Sequence, residues 1–217
     1  MDERVELRID IFEKRAQVAR VLRSLTVGEL IAEVLDEFDE LEYLDRAAPG
    51  KYVLRRKEDP SPLDASLTLA ELHLSPGTEL SLEETPVILP SGAEPMPGDV
   101  YLVLRRQSDV DEPRAFKLNW QPAVVGRPDT LLPQNELLAV NLELFPSGLR
   151  VSRRQAQITA GDGHYYLESL SNNPMLINEE TEPVSGVREL REGDLIHLVR
   201  SDLTLKFIAR PRWGLDG

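Results

Sequence analysis

The sequence predicts two domains of different class, an α+β domain followed by an all-β sandwich. A chain of 217 residues accommodates two domains of about 100 residues each. Before residue 86 the apolar patterns change from strand to helix and back. After residue 98 they are short strand patterns with regular turn signals and almost no helix. Between these two parts lies a stretch rich in proline and glycine, which is typical of a linker.

The first domain begins with a predicted β-hairpin and a helix. Apolar and charged residues alternate over residues 5–11, which indicates a half-buried strand, and residues 17–22 form its expected partner. Thr26 and Glu29 have the spacing of a capping box at a helix start. Apolar residues then recur at helical spacing: Val27, Leu30, Ile31, Val34, Leu35, Phe38 and Leu41.

The pattern of the remaining residues of this domain predicts a strand at 52–54 and a loop at 57–62. It then predicts a helical turn at 66–72, with Ser66 as its cap, and a closing strand at 79–83. This order of elements is a β-grasp arrangement and resembles ubiquitin. Residues 25–38 and 67–82 also resemble the small ubiquitin-like proteins found with bacterial type VII secretion systems. We therefore expect a ubiquitin-like β-grasp domain over 1–85, followed by a linker over 86–98.

The second domain, expected over 99–213, is predicted to consist of short strands. Strand patterns cover 100–104, 116–119, 124–125, 151–158, 164–170, 195–198 and 203–208, and Leu142 and Leu144 are expected in a further strand. Short strands joined by turns imply a β-sandwich, whose loops at one end would carry any site.

Potential anion donors are concentrated in the loops of this second domain. Ser152, Arg153, Asn172 and Asn173 lie in two neighbouring loops, and Arg127 lies in a third. Hydroxyl, guanidinium and amide groups together suit a ligand with several acceptor oxygens, such as a phosphate. Each residue also has an ordinary interpretation: a surface charge for the arginines, a strand-end hydroxyl for Ser152, and a turn residue for Asn173.

The order and spacing of these residues favour the binding interpretation. Gly126 and Arg127, Ser152 and Arg153, Asn173 through Asn178, and Leu190 through Asp194 follow one another as in the forkhead-associated (FHA) domain. FHA domains are phosphothreonine-peptide binding modules. The resemblance, over residues 100–210, implies the same fold and ligand class here.

The resemblance also implies individual roles. Arg127 would contact the phosphate or the peptide backbone, and Ser152 would donate its hydroxyl to a phosphate oxygen with help from Arg153. Asn173 would hold the peptide backbone, and Asn172 would line the phosphothreonine pocket.

Two positions depart from the family pattern. Gln155 replaces a histidine that braces the loops by hydrogen bonds, and Pro174 replaces a glycine. Because glutamine both donates and accepts, we expect a weakened brace rather than a lost site. Asn178 corresponds to a later asparagine that shapes its loop.

Composition argues against several other functions. The net charge of −13 disfavours general nucleic-acid or anionic-membrane binding. The chain has no cysteine, and its three histidines lack metal-ligand spacing, so we expect neither a metal nor a cofactor. The common catalytic motifs are absent, so we do not expect an enzyme. A charged N-terminus and the lack of a long apolar run favour the cytoplasm.

The sequence therefore predicts an adaptor that binds a phosphothreonine segment of one protein through its FHA-like domain and a second protein partner through its ubiquitin-like domain. The alternative is a structural assembly subunit whose docking surfaces do not depend on phosphate, for example in a secretion-related complex.

Overall fold

The structure is a computed structural model that describes residues 3–105, 113–129, 131 and 135–210. The chain divides into two compact units, Met1–Pro86 and Val87–Gly217. None of the helices in the described ranges has the length and apolar character needed to cross a membrane.

The first unit is one mixed sheet with a helix. Its elements are β1 Arg4–Ile11, β2 Lys14–Leu22, α1 Val27–Glu37, β3 Tyr52–Arg56, β4 Asp59–Pro62 and β5 Thr78–Glu84, with a short 3₁₀ helix at Pro49–Lys51. The strand order is β2-β1-β5-β3-β4. The central strands β1 and β5 are parallel, and the other neighbours are antiparallel.

Helix α1 forms where the capping pattern predicts it. The Oγ1 of Thr26 accepts a hydrogen bond from the N–H of Glu29, and the Glu29 carboxylate accepts one from the N–H of Thr26. These bonds satisfy backbone donors that the first helical turn leaves unpaired. The predicted stripe is buried over Val27–Leu35, and in β1 every second residue from Val5 to Ile11 is buried.

Two local predictions for the first unit differ from the structure. The helical turn expected over 66–72 is limited to one bond of helical type, from the N–H of Leu72 to the carbonyl of Thr68, within a run of turns. Its capping side chain is Thr68, whose hydroxyl and N–H bond Glu71, rather than Ser66. Ser66 bonds Asp64 instead. Part of the predicted loop at 57–62 is the edge strand β4, where proline is tolerated because one side of the strand needs no donors.

The second unit is built almost entirely of strands. These are β6 Glu94–Pro95, β7 Asp99–Leu104, β8 Arg114–Lys117, β9 Trp120–Gln121, β10 Ala123–Gly126, β11 Leu138–Asn141, β12 Arg154–Gly161, β13 His164–Ser169, β14 Met175–Ile177, β15 Val187–Leu190, β16 Leu195–Leu198 and β17 Leu203–Arg210. Two short 3₁₀ helices lie at Asn135–Leu137 and Pro146–Arg150.

The strands of the second unit form the predicted sandwich. One sheet has the order β11-β10-β12-β13-β15 and the other has the order β14-β16-β17-β7-β8. A single apolar cluster contains inward residues of both sheets, among them Val125, Ile158 and Leu167 from the first, and Leu102 and Phe207 from the second. Burial of this cluster is the main stabilising contribution to the unit.

Three parts of the second unit differ from the sequence-based expectation. The end of the stretch taken as a linker is structured: Glu94–Pro95 pairs with Trp120–Gln121, and Met96 is buried in the core. Leu142 and Leu144 do not form a strand; the strand ends at Asn141, Leu142 is buried, and Leu144 is 67% exposed. The short strands β14 and β15 were not predicted, because their residues lack a sustained period of two.

Candidate functional site

Three loops of the second unit meet at one end of the sheet β11-β10-β12-β13-β15, where its strands begin or finish. We call this end the loop edge. Gly126 at the end of β10 pairs with Arg154 at the start of β12, and Ser169 at the end of β13 pairs with Ala156. Because these neighbouring strands are antiparallel, the loop after β10, the loop before β12 and the loop after β13 emerge together. They carry Arg127, Ser152 with Arg153, and Asn172 with Asn173, respectively.

Gly126 allows the first two loops to approach closely. A Cβ atom at this position would lie 2.3 Å from the carbonyl oxygen of Arg153 and 2.8 Å from that of Ser152. The next residue, Arg127, donates its backbone N–H to the same Arg153 carbonyl at 3.1 Å. The glycine before Arg127 is therefore required by a backbone contact, and that contact places the arginine beside Ser152.

Ser152 and Asn173 contact each other directly across two loops. The Nδ2 of Asn173 donates to Ser152 Oγ at 2.8 Å. The same Nδ2 lies 3.4 Å from the carbonyl oxygen of Arg150. Since Ser152 Oγ accepts this bond and makes no other side-chain bond within the described residues, its proton remains available to donate.

Gln155 links the same two loops through its buried side chain. It is 1% exposed, its Oε1 accepts from the Ser152 N–H at 3.2 Å, and its Nε2 donates to the Asn173 carbonyl at 2.9 Å. Both functions of the amide are used, one on each loop. The contacts hold the backbone on which Ser152 and Asn173 stand, which is the geometry of a brace.

One nitrogen of the Arg127 guanidinium group makes a hydrogen bond within the protein, and the other two are available to a ligand. Its Nε donates to the carbonyl oxygen of Val151 at 2.6 Å. This bond fixes the plane of the guanidinium group next to the loop that carries Ser152. Its two terminal nitrogens have no hydrogen-bond partner among the described residues, so they remain available to acceptor oxygens of a ligand.

Arg153 is paired with an acid that the sequence analysis did not single out. Its Nη1 lies 3.0 Å from Oδ2 of Asp129, which is 8% exposed, while the Arg153 side chain is 59% exposed. The other oxygen of Asp129 accepts from the N–H of Leu131. Asp129 thus positions Arg153 and also compensates part of its charge. Its position two residues after Arg127 is the only sequence signal for this role.

The two remaining predicted residues, Asn172 and Asn178, lie in different loops. Asn172 is exposed and makes no hydrogen bond within the described residues, so its side chain is unconstrained by the fold. Asn178 adopts a φ of 54° and bonds Asp194 and the N–H of Leu195. It therefore fastens the end of β14 to the turn before β16 and is not brought together with Ser152.

Two further residues belong to the loop edge. Ser171 accepts the N–H of Asn173 at its Oγ and so shapes the loop that presents Asn173. The exposed Arg150 precedes Ser152 by two residues, and its carbonyl faces Asn173. Arg127, Arg150 and Arg153 thus give this edge a local positive charge although the chain as a whole carries −13.

Within the residues searched, no group of acidic and histidine side chains is arranged to hold a metal ion.

Comparison with protein families identifies this part of the chain. Residues 124–199 match the model of the FHA domain, and this segment is an FHA domain. The match contains every site residue named above. No match is found among curated proteins.

Solved structures resemble each of the two units. The FHA domain of FhaA, complexed with the intracellular domain of Rv3910, is 25% identical, with 50% of this chain and 98% of that chain covered and a TM-score of 0.37. EmbR of Mycobacterium tuberculosis, in complex with a low-affinity phosphopeptide, is 21% identical, with coverages of 54% and 26% and a TM-score of 0.39. A Caldiarchaeum subterraneum ubiquitin is 20% identical, with coverages of 39% and 96% and a TM-score of 0.30.

Replacing Gly126 should disrupt the loop edge. We expect Gly126→Ala to lower the free energy of unfolding of the second unit by about 3 kcal/mol, because the new methyl group meets backbone oxygens that cannot move aside cheaply. Urea unfolding followed by tryptophan fluorescence measures this, since both tryptophans lie beyond residue 99. Gly161→Ala is the matched control, because nothing lies within 4 Å of its Cβ position. Equal losses in the two variants would contradict the role of Gly126.

Replacing Gln155 should destabilise the same unit for a different reason. Gln155→Leu keeps the volume approximately but leaves the Ser152 N–H and the Asn173 carbonyl without their buried partner. We expect a loss of about 2 kcal/mol or more in the free energy of unfolding. Gln157→Leu on the same strand should cost less than about 1 kcal/mol, because the side chain of Gln157 bonds no described residue except the side chain of Glu168. A loss in Gln155→Leu no greater than in Gln157→Leu would refute the brace.

Proposed function

We propose that the chain is a non-enzymatic adaptor that binds phosphothreonine-containing protein segments at the loop edge of its FHA domain. The observation that carries this proposal is the pair formed by Ser152 and Asn173 at 2.8 Å, beside the terminal nitrogens of Arg127, which have no hydrogen-bond partner among the described residues. One hydroxyl proton and several guanidinium N–H groups are thereby offered at one place. We further propose that the first unit is a β-grasp domain that docks a second protein, and that the chain acts in the cytoplasm.

The chemistry of a phosphothreonine fits these donors. A phosphothreonine carries a charge of about −1.5 to −2 and presents three acceptor oxygens. Arg127 supplies charge and paired donors, and Ser152 supplies a single donor whose direction is fixed by its bond from Asn173. Hydrogen bonds to charged groups contribute roughly 1.5–3 kcal/mol each. Three of them support reversible binding in about the micromolar range once ordering costs are subtracted.

Asn172 and Asn173 have different parts in this proposal. Asn173 has its amide nitrogen bonded to Ser152, and its Oδ1 has no partner within the described residues, so this oxygen is available to a backbone N–H of the bound segment. Asn172 is exposed and unconstrained, and it would line the space around the threonine. The roles of Gln155 and Asn178 are structural, one at the site loops and the other at the turn before β16.

The central prediction concerns discrimination by phosphorylation. Peptides with a central phosphothreonine in randomised flanks should bind the full chain, and their unphosphorylated twins should not, as measured by fluorescence anisotropy. Ser152→Ala should weaken binding at least about tenfold, because it removes one bond to a charged group. Ser75→Ala, at an exposed serine of the first unit whose hydroxyl makes no hydrogen bond within the described residues, should leave the affinity unchanged. Equal binding of both peptide sets would refute the proposal and favour the phosphate-independent assembly subunit.

Arg153 should contribute less than Ser152. Its charge is shared with Asp129 and its side chain is largely exposed, so its contribution is screened by solvent. We expect Arg153→Ala to weaken phosphopeptide binding only about two- to fivefold in the same anisotropy assay. The matched control is Arg191→Ala, which removes the same charge from the turn after β15, at the opposite end of the sheet. A loss in Arg153→Ala as large as in Ser152→Ala would show that Asp129 leaves Arg153 fully available to the phosphate.

A further inference from the structure

We infer that the exposed apolar segment 87–89 binds a basic partner protein by pairing, as a short strand, with an open edge of that protein's β-sheet. The segment consists of Val87, Ile88 and Leu89 and lies between Pro86 and Pro90. It is part of no strand of either unit and does not include the loop edge. The inference therefore goes beyond the proposed function and does not rest on phosphothreonine binding.

The first observation is a run of three consecutive exposed apolar side chains. Val87 is 48% exposed, Ile88 is 96% exposed and Leu89 is 38% exposed. Proteins in water commonly expose single apolar residues, but a consecutive exposed run is unfavourable unless it serves an interaction. At 96% exposure, Ile88 contributes almost nothing to packing within the described residues. The fold therefore gives no reason for an isoleucine at this position, whereas an apolar contact with another protein does.

The second observation is an unpaired main chain. The N–H of Thr85 donates to the carbonyl of Lys51 at 2.8 Å, and the N–H of Ala93 donates to the carbonyl of Pro90 at 3.1 Å. Between these two bonds, the N–H and C=O groups of residues 87–89 have no hydrogen-bond partner among the described residues. Backbone groups of this kind can join the ladder of a sheet edge, which is the mode of recognition called strand addition.

The flanking prolines set the conformation and the length of the segment. A proline disfavours helical backbone at the residue before it, so Leu89 is restricted to extended conformations. The alternating exposure of residues 87–89 is typical of an extended chain, in which successive side chains point to opposite sides. Because Pro86 and Pro90 have no N–H, the donors for pairing are limited to the three residues between them. A preorganised segment of this kind loses little conformational entropy on binding.

The charge of the surrounding sequence selects a basic partner. Residues 58–104 contain nine Asp and Glu but no Lys or Arg. Arg55 offsets the charge of Glu83, which precedes the segment, whereas Glu94 after it has no ion-pair partner among the described residues. Complementary charge around a contact accelerates association and rejects like-charged proteins. A second copy of the chain, with the same net charge of −13, is thereby disfavoured.

The probe for the test is a disulfide-closed β-hairpin peptide of alternating lysine and valine, added to the isotope-labelled full chain without phosphopeptide. The amide resonances of residues 87–89 should shift in a saturable way. The matched control hairpin carries N-methyl groups on the outward nitrogens of both strands, which blocks its edges and keeps its internal hydrogen bonds. This control should produce no shifts. Equal shifts with both hairpins would overturn strand pairing, and the absence of shifts at residues 87–89 would overturn the site.

Variants of the chain test the role of the central side chain. Ile88→Ser should weaken hairpin binding at least about tenfold, because it removes the largest apolar contact. Its urea midpoint should equal that of the wild type, since the side chain is 96% exposed. Ile88→Val should retain most of the affinity. Leu144→Ser is the matched control, at a leucine that is 67% exposed outside the segment, and should bind as the wild type does. Unchanged affinity in Ile88→Ser would overturn the inference.

Two further measurements test the choice of partner. A hairpin with glutamate in place of lysine should bind at least about tenfold more weakly, and equal binding would overturn the requirement for a basic partner. Sedimentation of the free chain should give a monomer with respect to this segment. A dimer that Ile88→Ser dissociates would make a second copy the occupant and overturn the inference. A failure of phosphothreonine binding in the anisotropy assay would leave the hairpin shifts in place.

Discussion

The FHA site depends on the contact between Gln155 and two loops that are distant in sequence. Its side-chain amide joins the N–H of Ser152 to the carbonyl of Asn173, which lies 21 residues later in the chain. Without that buried link, Ser152 and Asn173 would each belong to an independent surface loop, with the conformational freedom that surface loops have. The direct bond between their side chains is possible because their backbones are already fixed. Gly126 then brings Arg127 to the same place through the Arg153 carbonyl.

Gln155 stands at the position where the resemblance to the FHA family implies a bracing histidine. The position needs one acceptor for an N–H and one donor for a carbonyl, and its residue is 1% exposed. A glutamine amide provides both at its two ends and uses both here. Gln155 therefore makes one hydrogen bond to each of the two loops.

Patterns confined to a few neighbouring residues were the most predictable part of the fold. The alternation in β1 and the capping box of Thr26 and Glu29 depend only on local periodicity and spacing, and both are present. The strand predicted at Leu142 and Leu144 is wrong, because alternation of apolar residues carries no information about close backbone contacts. Gly148 packs against the Leu142 carbonyl so closely that a Cβ atom on residue 148 would not fit. The 3₁₀ turn at Pro146–Arg150 follows from that close approach rather than from side-chain pattern.

Within the site, the sequence indicated which residue types are needed but not how they are held. Ser152 and Asn173 stand out as donors in adjacent loops, whereas the pairing of Arg153 with Asp129 joins positions 24 residues apart and has no sequence period. For Asn178, nearness to the site in sequence does not mean nearness in the structure. Its side chain is an amide near the site in sequence, but its positive φ and its bonds to Asp194 and Leu195 direct it to another loop.

Gln155 also determines how the site responds to acidity. A histidine brace changes its charge near neutral pH, and its donor and acceptor pattern changes with it. The amides of glutamine and asparagine do not titrate, and neither does a serine hydroxyl between pH 5 and 8. The loops around Ser152 therefore keep one hydrogen-bond pattern throughout this range. Under the proposed function, the second ionisation of the ligand's phosphate, near pH 6, is a further proton equilibrium at the site. Among the described residues of these loops, the brace itself therefore does not change its hydrogen bonds with pH.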